Sequence, residues 1–276
     1  MTEIVEETSS EKIPVVEVRN LTRTYTSPEG ESFTAIKDVN LVIEDTPNRG
    51  EMCAVLGPSG CGKSTLLNMV AGLDVPTSGT VKVDGQLIEG PGPDRGMVFQ
   101  SYSSMPWMNV LQNVAYGLKL RGMARSEREE RASILIKQVG LGGHELKYPK
   151  DLSGGMRQRV AIARTLAVEP NIILMDEPFG ALDVGTRVEM QDMLLRINLE
   201  LQPTILFVTH DIGEAVYLAN RIYIFSASPG TIVDVVDVDL PIERDRTIKH
   251  SARFRKYESV ILERIHQLGE IPETTI

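Results

Sequence analysis

The chain reads as an α/β protein built on a mostly parallel sheet, and three observations predict it. Met52 to Leu56, Asn171 to Met175 and Thr204 to Val208 are short apolar runs of the kind buried on both faces of a parallel sheet. Helix-like stretches follow each of them, at about 63–71, 184–200 and 211–219. Strand, helix, strand in this order implies right-handed crossovers.

The remaining elements fit around that frame. Residues 1–12 are polar and acidic and are expected to be a disordered tail. Val15 to Arg19 reads as a strand. In Asp38 to Glu44, apolar Val39, Leu41 and Ile43 alternate with polar neighbours, the mark of a strand with one buried face. Glu44 to Arg49 looks like a lengthened surface turn. Thr80 to Leu87 is strand-like with an Asp84-Gly85 turn signal, and Gly96 to Phe99 is a short buried strand. From about 110 to 168 the pattern is mostly helical, so a helical insertion is expected between strands. Arg221 to Phe225 and Thr231 to Val236 are strand-like, and a last helix is expected over about 251–267. No internal repeat is visible. The domain division expected is a tail over 1–12, one catalytic domain over 13–240 with its helical part at about 101–168, and a C-terminal extension over 241–276.

Composition narrows the function. The 276 residues carry 29 Lys+Arg against 38 Asp+Glu, a net charge of −9. That balance argues against broad nucleic-acid binding, which needs clustered cations. Cys53 and Cys61 show no metal-ligand spacing and no disulfide framework, so a reducing compartment is expected. The N-terminus lacks the basic and apolar regions of a signal peptide. No apolar run reaches about 18 residues, so no transmembrane helix is expected and any membrane role goes through a partner.

Three motifs carry chemistry. The first is Gly57-Pro58-Ser59-Gly60-Cys61-Gly62-Lys63-Ser64-Thr65, which matches the phosphate-binding loop in full and lies between a buried strand and a helix. Its glycines let backbone N–H groups turn toward phosphate oxygens, and the helix adds its N-terminal dipole. Lys63 is expected to reach the β- and γ-phosphates, and Ser64 to ligate Mg²⁺. The competing reading, an ordinary glycine-rich turn, does not explain Lys-Ser after the last glycine.

The second is Ile172-Ile173-Leu174-Met175-Asp176-Glu177, a buried strand that delivers two carboxylates at its C-terminal end, where open α/β sheets bind ligands. Asp176 is expected to hold Mg²⁺ and Glu177 to polarise the attacking water. The third is Leu152-Ser153-Gly154-Gly155-Met156-Arg157-Gln158, opening an apolar helix. Ser153 there is a helix cap, an anion site, or both, because the two roles are compatible.

Together these motifs resemble the nucleotide-binding subunit of ATP-binding-cassette proteins, and the resemblance covers about residues 15–236. It implies a P-loop NTPase core, an N-terminal antiparallel β subdomain and a helical signature subdomain. It implies ATP and Mg²⁺ as the ligands, and a catalytic set of Lys63, Glu177 and His210. Tyr25 falls at the aromatic that stacks on adenine. Gln100 falls at the glutamine that contacts Mg²⁺ beside Ser64 and Asp176. Ala181-Leu182-Asp183 resembles the loop linking the two sites of a dimer, and His210 the switch histidine at the γ-phosphate. Ser153, Gly154 and Gly155 are implied to act in trans on ATP held by a second copy or a paralogous subunit. Cys61 reads as a small loop residue rather than a redox group, although a thiol reagent there is expected to block nucleotide.

The segment Ser101 to Val110, with Met105, Trp107 and Met108, resembles the nitrate/sulfonate/taurine group of importer subunits. That implies transmembrane permease subunits, a solute-binding protein acting indirectly, a small oxyanion such as nitrate, bicarbonate or a sulfonate, and a peripheral position on the cytoplasmic face of the inner membrane. Trp107, the single tryptophan, is either core of the helical part or an exposed edge for a partner's helix. The alternative is a soluble cassette ATPase, for example in iron–sulfur assembly. The stretch between Gln100 and Ser153 is too short for the long coiled coil of DNA-repair members. Arg244, Arg246, Lys249, Arg253, Arg255 and Lys256 make the tail locally basic, either for a membrane surface or partner or, the favoured reading, as a solvated helix face.

Overall fold

The computed structural model describes residues 13–44, 46, 50–101 and 103–269. The tail expected over 1–12 and most of the turn expected over 44–49 lie outside the described residues.

Two sheets form the protein. Strands β1 (Val16–Thr26), β2 (Ser32–Ile43), β4 (Ser78–Val83) and β5 (Gln86–Leu87) pair antiparallel in the order β2-β1-β4-β5. The second sheet is ordered β10-β9-β3-β8-β7-β6, from β3 (Met52–Leu56), β6 (Arg95–Val98), β7 (Ile172–Asp176), β8 (Ile205–Thr209), β9 (Arg221–Phe225) and β10 (Ile232–Asp237). All its pairings are parallel except β9–β10. This is the expected α/β class with an antiparallel N-terminal sheet.

Every residue of β3 and β8 is buried. Alternation along β3 divides two hydrophobic layers. Cys53 and Val55 join the layer containing helix α1 (Lys63–Ala71) and the antiparallel sheet. Met52, Ala54 and Leu56 join the opposite layer, with helices α2 (Val110–Leu120), α3 (Arg125–Gln138), α4 (Gly154–Leu166), α5 (Val184–Leu201) and α6 (Ile212–Leu218).

The first two strands run longer than the hydrophobic pattern predicts. Their added ends lack clean alternation and are held by pairing: Thr24 faces Thr34 and Tyr25 faces Phe33, with the two threonine hydroxyls 3.0 Å apart. The helical insertion appears as α2, α3, a short 3₁₀ turn at Pro149–Asp151, and α4.

After β10 the chain makes a 3₁₀ turn at Arg246–His250 and then α7 (Ala252–Gly269). Phe254 and Ile261 of α7 are fully buried in the second layer, with Tyr257 and Ile265 packed beside them. Burial of each of the first two contributes roughly 1.5–3 kcal/mol to docking. Arg253, Arg255 and Lys256 lie on the exposed face, as a solvated face requires. Arg244 and Lys249 do not: they turn onto the domain, bonding to the Val216, Leu218 and Ala219 carbonyls and to Gln191, while Arg246 stays exposed and pairs with Asp192. No helix among the described residues is long and apolar enough to cross a membrane.

Candidate active site

Strand order assembles the site. The phosphate loop follows β3, His210 follows β8, Glu177 follows β7, and Gln100 lies two residues past β6. These four parallel strands are neighbours, and their ends are level: Leu56 pairs with Thr209, Val208 with Asp176, and Met175 with Val98. Residues far apart in sequence therefore meet at one C-terminal sheet edge.

The loop from Gly57 to Thr65 is tightly seated. Gly62 caps α1 at φ 96°, and a Cβ there would lie 2.7 Å from the Ala35 carbonyl oxygen and 2.5 Å from Ile36. Only glycine meets both demands. Pro58, Ser59 and Gly60 are exposed, whereas Gly57 and Cys61 are buried. Cys61 is 1% exposed, and burial pushes its thiol pKa up. Its position supports the small-residue reading and opposes attack by a thiol reagent, which needs exposed thiolate.

Lys63 is 4% exposed and donates to the Gly57 and Pro58 carbonyls at 2.8 and 2.7 Å. Among the described residues no carboxylate pairs with it within 4.0 Å. A buried cation that donates to neutral carbonyls and has no carboxylate in direct ion-pair contact is a site that fits phosphate. Facing it, the Ser64 hydroxyl donates to Asp176 Oδ1 at 2.9 Å. Burial, together with the Glu177 charge, raises the Asp176 pKa above the ordinary carboxylate value, against the Ser64 hydrogen bond. Two adjacent carboxylates and a hydroxyl form a hard oxygen donor set that fits Mg²⁺. That ion ordinarily takes one or two carboxylates and completes its shell with water and phosphate.

Glu177 sits at φ 40°, a left-handed conformation costly for this residue type and typical of functional strain. Its Oε2 lies 3.4 Å from His210 Nδ1 and 3.5 Å from Gln100 Nε2, which donates to it. Lys63, Ser64, Gln100, Asp176, Glu177 and His210 thus form one connected cluster.

Tyr25 lies near the end of β1, 40% exposed. Its hydroxyl donates to Asp74 at 2.7 Å, and the Arg23 guanidinium sits 4.5 Å over its ring. Arg23 also pairs with Asp74 at 2.7 Å. Sequence reasoning misses these two supports, because Asp74 is 49 residues from Tyr25 and no local motif marks it.

The signature residues stand apart. Ser153 is exposed and caps α4, accepting the Met156 N–H at 3.3 Å. Gly154 and Gly155 open that helix, and a Cβ on Gly155 would lie 2.3 Å from Thr186 of α5. Among the described residues no hydrogen bond or ion pair links these three to the phosphate loop or to Asp176 and Glu177. Asp183 is also exposed and caps α5 through the Thr186 N–H at 3.0 Å.

An ABC transporter family pattern matches residues 37–180. The chain is 50% identical over 252 residues to the nitrate import ATP-binding protein NrtD of Synechocystis sp., covering 89% of this chain and 93% of that protein.

The chain belongs to the ABC transporter family.

Other relatives agree. The taurine import ATP-binding protein TauB of Escherichia coli is 44% identical over 241 residues, covering 86% of this chain and 93% of TauB. The bicarbonate transport ATP-binding protein CmpC of Synechocystis sp. is 43% identical over 251 residues, covering 89% of this chain but 37% of that longer protein. Among solved structures, the ATP-binding cassette MJ0796, dimeric in a post-hydrolysis state with ADP and Pi, superposes with a TM-score of 0.70 at 36% identity. The match covers 82% of this chain and all of that one. This ABC chain is an ATP hydrolase that uses ATP with Mg²⁺.

One surface outside the cluster bears on partners. Trp107 is 72% exposed, which removes the reading of it as core. It edges a cleft of about 390 Å³ with Met108, Leu111, Ala115, Tyr116 and Arg128. Buried Asn113 builds this edge: its Nδ2 donates to the Met105, Met108 and Asn109 carbonyls, and its Oδ1 accepts the Met105 N–H. Asn113 carries no signal in the sequence, because an asparagine inside a helix looks like any polar surface residue.

Proposed function

We propose that this ABC ATPase is the energising subunit of an importer, working as a closed dimer on transmembrane permease subunits at the cytoplasmic face of the membrane. The observation that carries the reading is the exposed Trp107 edge, held by Asn113, where Met108, Leu111 and Ala115 form an apolar strip beside the charged Lys119, Arg125, Arg128 and Glu129. A groove with a large aromatic at its rim, an apolar strip and a charged border suits a short amphipathic helix from a partner. The names of the relatives, for nitrate import, taurine import and bicarbonate transport, support a small oxyanion as the solute. A solute-binding protein would join through the permease.

Within the dimer each phosphate loop would face the partner's signature. Tyr25 stacks on the adenine. Backbone N–H groups of Gly57 to Thr65 and the α1 N-terminus bind the phosphates, and Lys63 leaves its loop carbonyls for the β- and γ-oxygens. Ser64, Asp176 and Gln100 hold Mg²⁺, which neutralises charge on the phosphates when bound. Glu177 accepts a hydrogen bond from the attacking water and takes its proton as the water oxygen bonds to the γ-phosphorus and the bond from that phosphorus to the β–γ bridging oxygen breaks, giving ADP and phosphate. His210 orients Glu177 and contacts the γ-phosphate. Ser153, Gly154 and Gly155 of the partner would complete the anion cradle, while Asp183 lies at the junction. Because phosphoryl transfer depends on positioning and charge neutralisation, closing the dimer switches hydrolysis on.

The test is affinity purification of the tagged chain from gently solubilised native membranes, with Trp107→Glu in parallel. Permease subunits that co-purify with the wild type and are lost with Trp107→Glu, while ATP affinity is kept, support the reading. A dimer without membrane partners, or one bound to a metal-cluster assembly factor, moves this ABC ATPase to a soluble role.

A further inference from the structure

The segment after β10 is wired into the loop that carries His210. Thr209 ends β8, and its hydroxyl donates to Glu214 Oε2 of α6 at 2.8 Å while accepting the Asp211 N–H at 3.0 Å. Glu214 Oε1 accepts from Gln191 Nε2 of α5 at 3.2 Å. Gln191 Oε1 in turn accepts from Lys249 Nζ at 3.0 Å. Thr209, Glu214 and Gln191 are 2%, 7% and 2% exposed, so water does not substitute for a lost partner there. A branch leads to the other functional loop: Arg187 Nε lies 3.8 Å from Glu214 Oε1, and its Nη2 donates to the Leu182 carbonyl at 3.4 Å.

Lys249 is a built member of this chain of contacts. Its ammonium lies 4.1 Å over the Tyr217 ring, and the Tyr217 hydroxyl donates to Asp192, which also takes Arg246 at 2.6 Å. Carboxylates of Asp192, Asp211, Glu214 and Glu258 surround the ammonium closely enough to act on it electrostatically. Removing that cation takes the donor from buried Gln191 Oε1 and one of the positive charges beside these carboxylates, and a partly satisfied buried network rearranges as a unit. The backbone next to His210 is what the unit holds.

We propose that Lys249 is a positioning residue for hydrolysis: through Gln191 and Glu214 it fixes the Thr209–Asp211 backbone, so that the C-terminal segment sets turnover by holding His210 in place. The proposal rests on the role of His210 given above.

The experiment compares steady-state ATP hydrolysis by the full-length chain carrying Lys249→Met, Lys249→Arg, Arg264→Ala or His210→Ala, with thermal stability measured in parallel. Lys249→Met is expected to lower kcat by about two- to thirtyfold, the range for residues coupled through a packed network, with KM for ATP unchanged. Lys249→Arg, which keeps the cation, restores most of the loss. Arg264→Ala removes an ion pair between α7 and Asp234 of β10 and leaves kcat alone. An unchanged kcat in Lys249→Met, or an equal loss in Arg264→Ala, overturns the relay, since the second outcome means that only docking of the segment matters. Normal turnover in His210→Ala sinks the switch role itself, and the two failures are therefore separable.

Discussion

The phosphate loop and the signature helix both present backbone N–H groups and a dipole to an anion, yet they differ in what surrounds them. The base of the Gly57 to Thr65 loop is enclosed while Pro58 to Gly60 stay exposed: Gly62 is pressed against Ala35, Lys63 is buried, and Asp176 already meets Ser64. At the signature, Ser153 is exposed and, among the described residues, bonded within its own helix turn, while Gly155 packs against Thr186 of α5. The first half of the site is complete within one chain. The second makes no hydrogen bond or ion pair to it among the described residues, and it is therefore proposed to act on ATP held by another copy.

The strongest test of that contrast removes chemistry from the enclosed half. Glu177→Gln keeps ATP binding and loses about 10²–10⁴-fold of hydrolysis, the range for a proton-transfer group. It accumulates as an ATP-bound dimer on size-exclusion chromatography, and near-normal turnover would remove Glu177 from the mechanism.

A mixing experiment then separates the halves. Lys63→Ala and Ser153→Arg proteins are each expected to be inactive, the first through weakened nucleotide binding by calorimetry, the second with binding intact. Mixed, they regain turnover, because a mixed dimer holds one intact phosphate loop facing one intact signature. No recovery on mixing would mean that the signature acts within its own chain or not at all.

Packing sharpens the comparison further. Gly62→Ala forces a left-handed alanine onto a backbone carbonyl, whereas Gly155→Ala, at an ordinary helical backbone, meets the Thr186 methyl alone. Overpacking costs about 1–3 kcal/mol at either position, and the left-handed backbone adds about 1–2 kcal/mol at Gly62 alone. Equal losses in chemical denaturation would contradict the added strain at Gly62.

The smallest effect concerns the exposed loop beside the signature. The Thr186 backbone N–H on Asp183 lowers its pKa below the ordinary carboxylate value. A carboxylate whose pKa is lower folded than unfolded contributes stability that is present above its unfolded pKa, about 3.9, and is lost as pH falls through the folded value. Asp183→Ala is therefore expected to melt below the wild type near neutral pH, with the gap closing in acid. A gap that stays constant with pH would show that the carboxylate charge plays no part in the cap.

Much of this molecule is legible in its amino-acid sequence. Met52–Leu56, Lys63–Ala71 and Arg221–Phe225 lie where apolar runs and glycine punctuation put them, because a buried strand and a capped helix are local patterns. The ends of β1 and β2 are not legible, since Thr24, Tyr25 and Thr34 are strand only through their cross-strand partners. Tyr25 is singled out by the family resemblance as the proposed adenine platform, but Arg23 and Asp74, which hold its ring, carry no signal in the sequence. The basic tail reads as solvated; for Arg253, Arg255 and Lys256 that describes the molecule, and for Lys249 it does not.

What the sequence by itself determined is the chemistry carried by contiguous residues: the Gly57–Thr65 loop, the Asp176-Glu177 pair at a strand end, and Ser153 at a helix start. These follow from steric freedom, hydrophobic runs and capping, all of which act over a few residues. The tertiary structure alone decided that β3, β8, β7 and β6 are neighbours out of sequence order and so bring Lys63, His210, Glu177 and Gln100 together. It alone turned Trp107 outward on an Asn113 anchor and Lys249 inward toward Glu214. Strand pairing and the satisfaction of buried polar groups are long-range conditions on the whole chain, and no short window of sequence contains them.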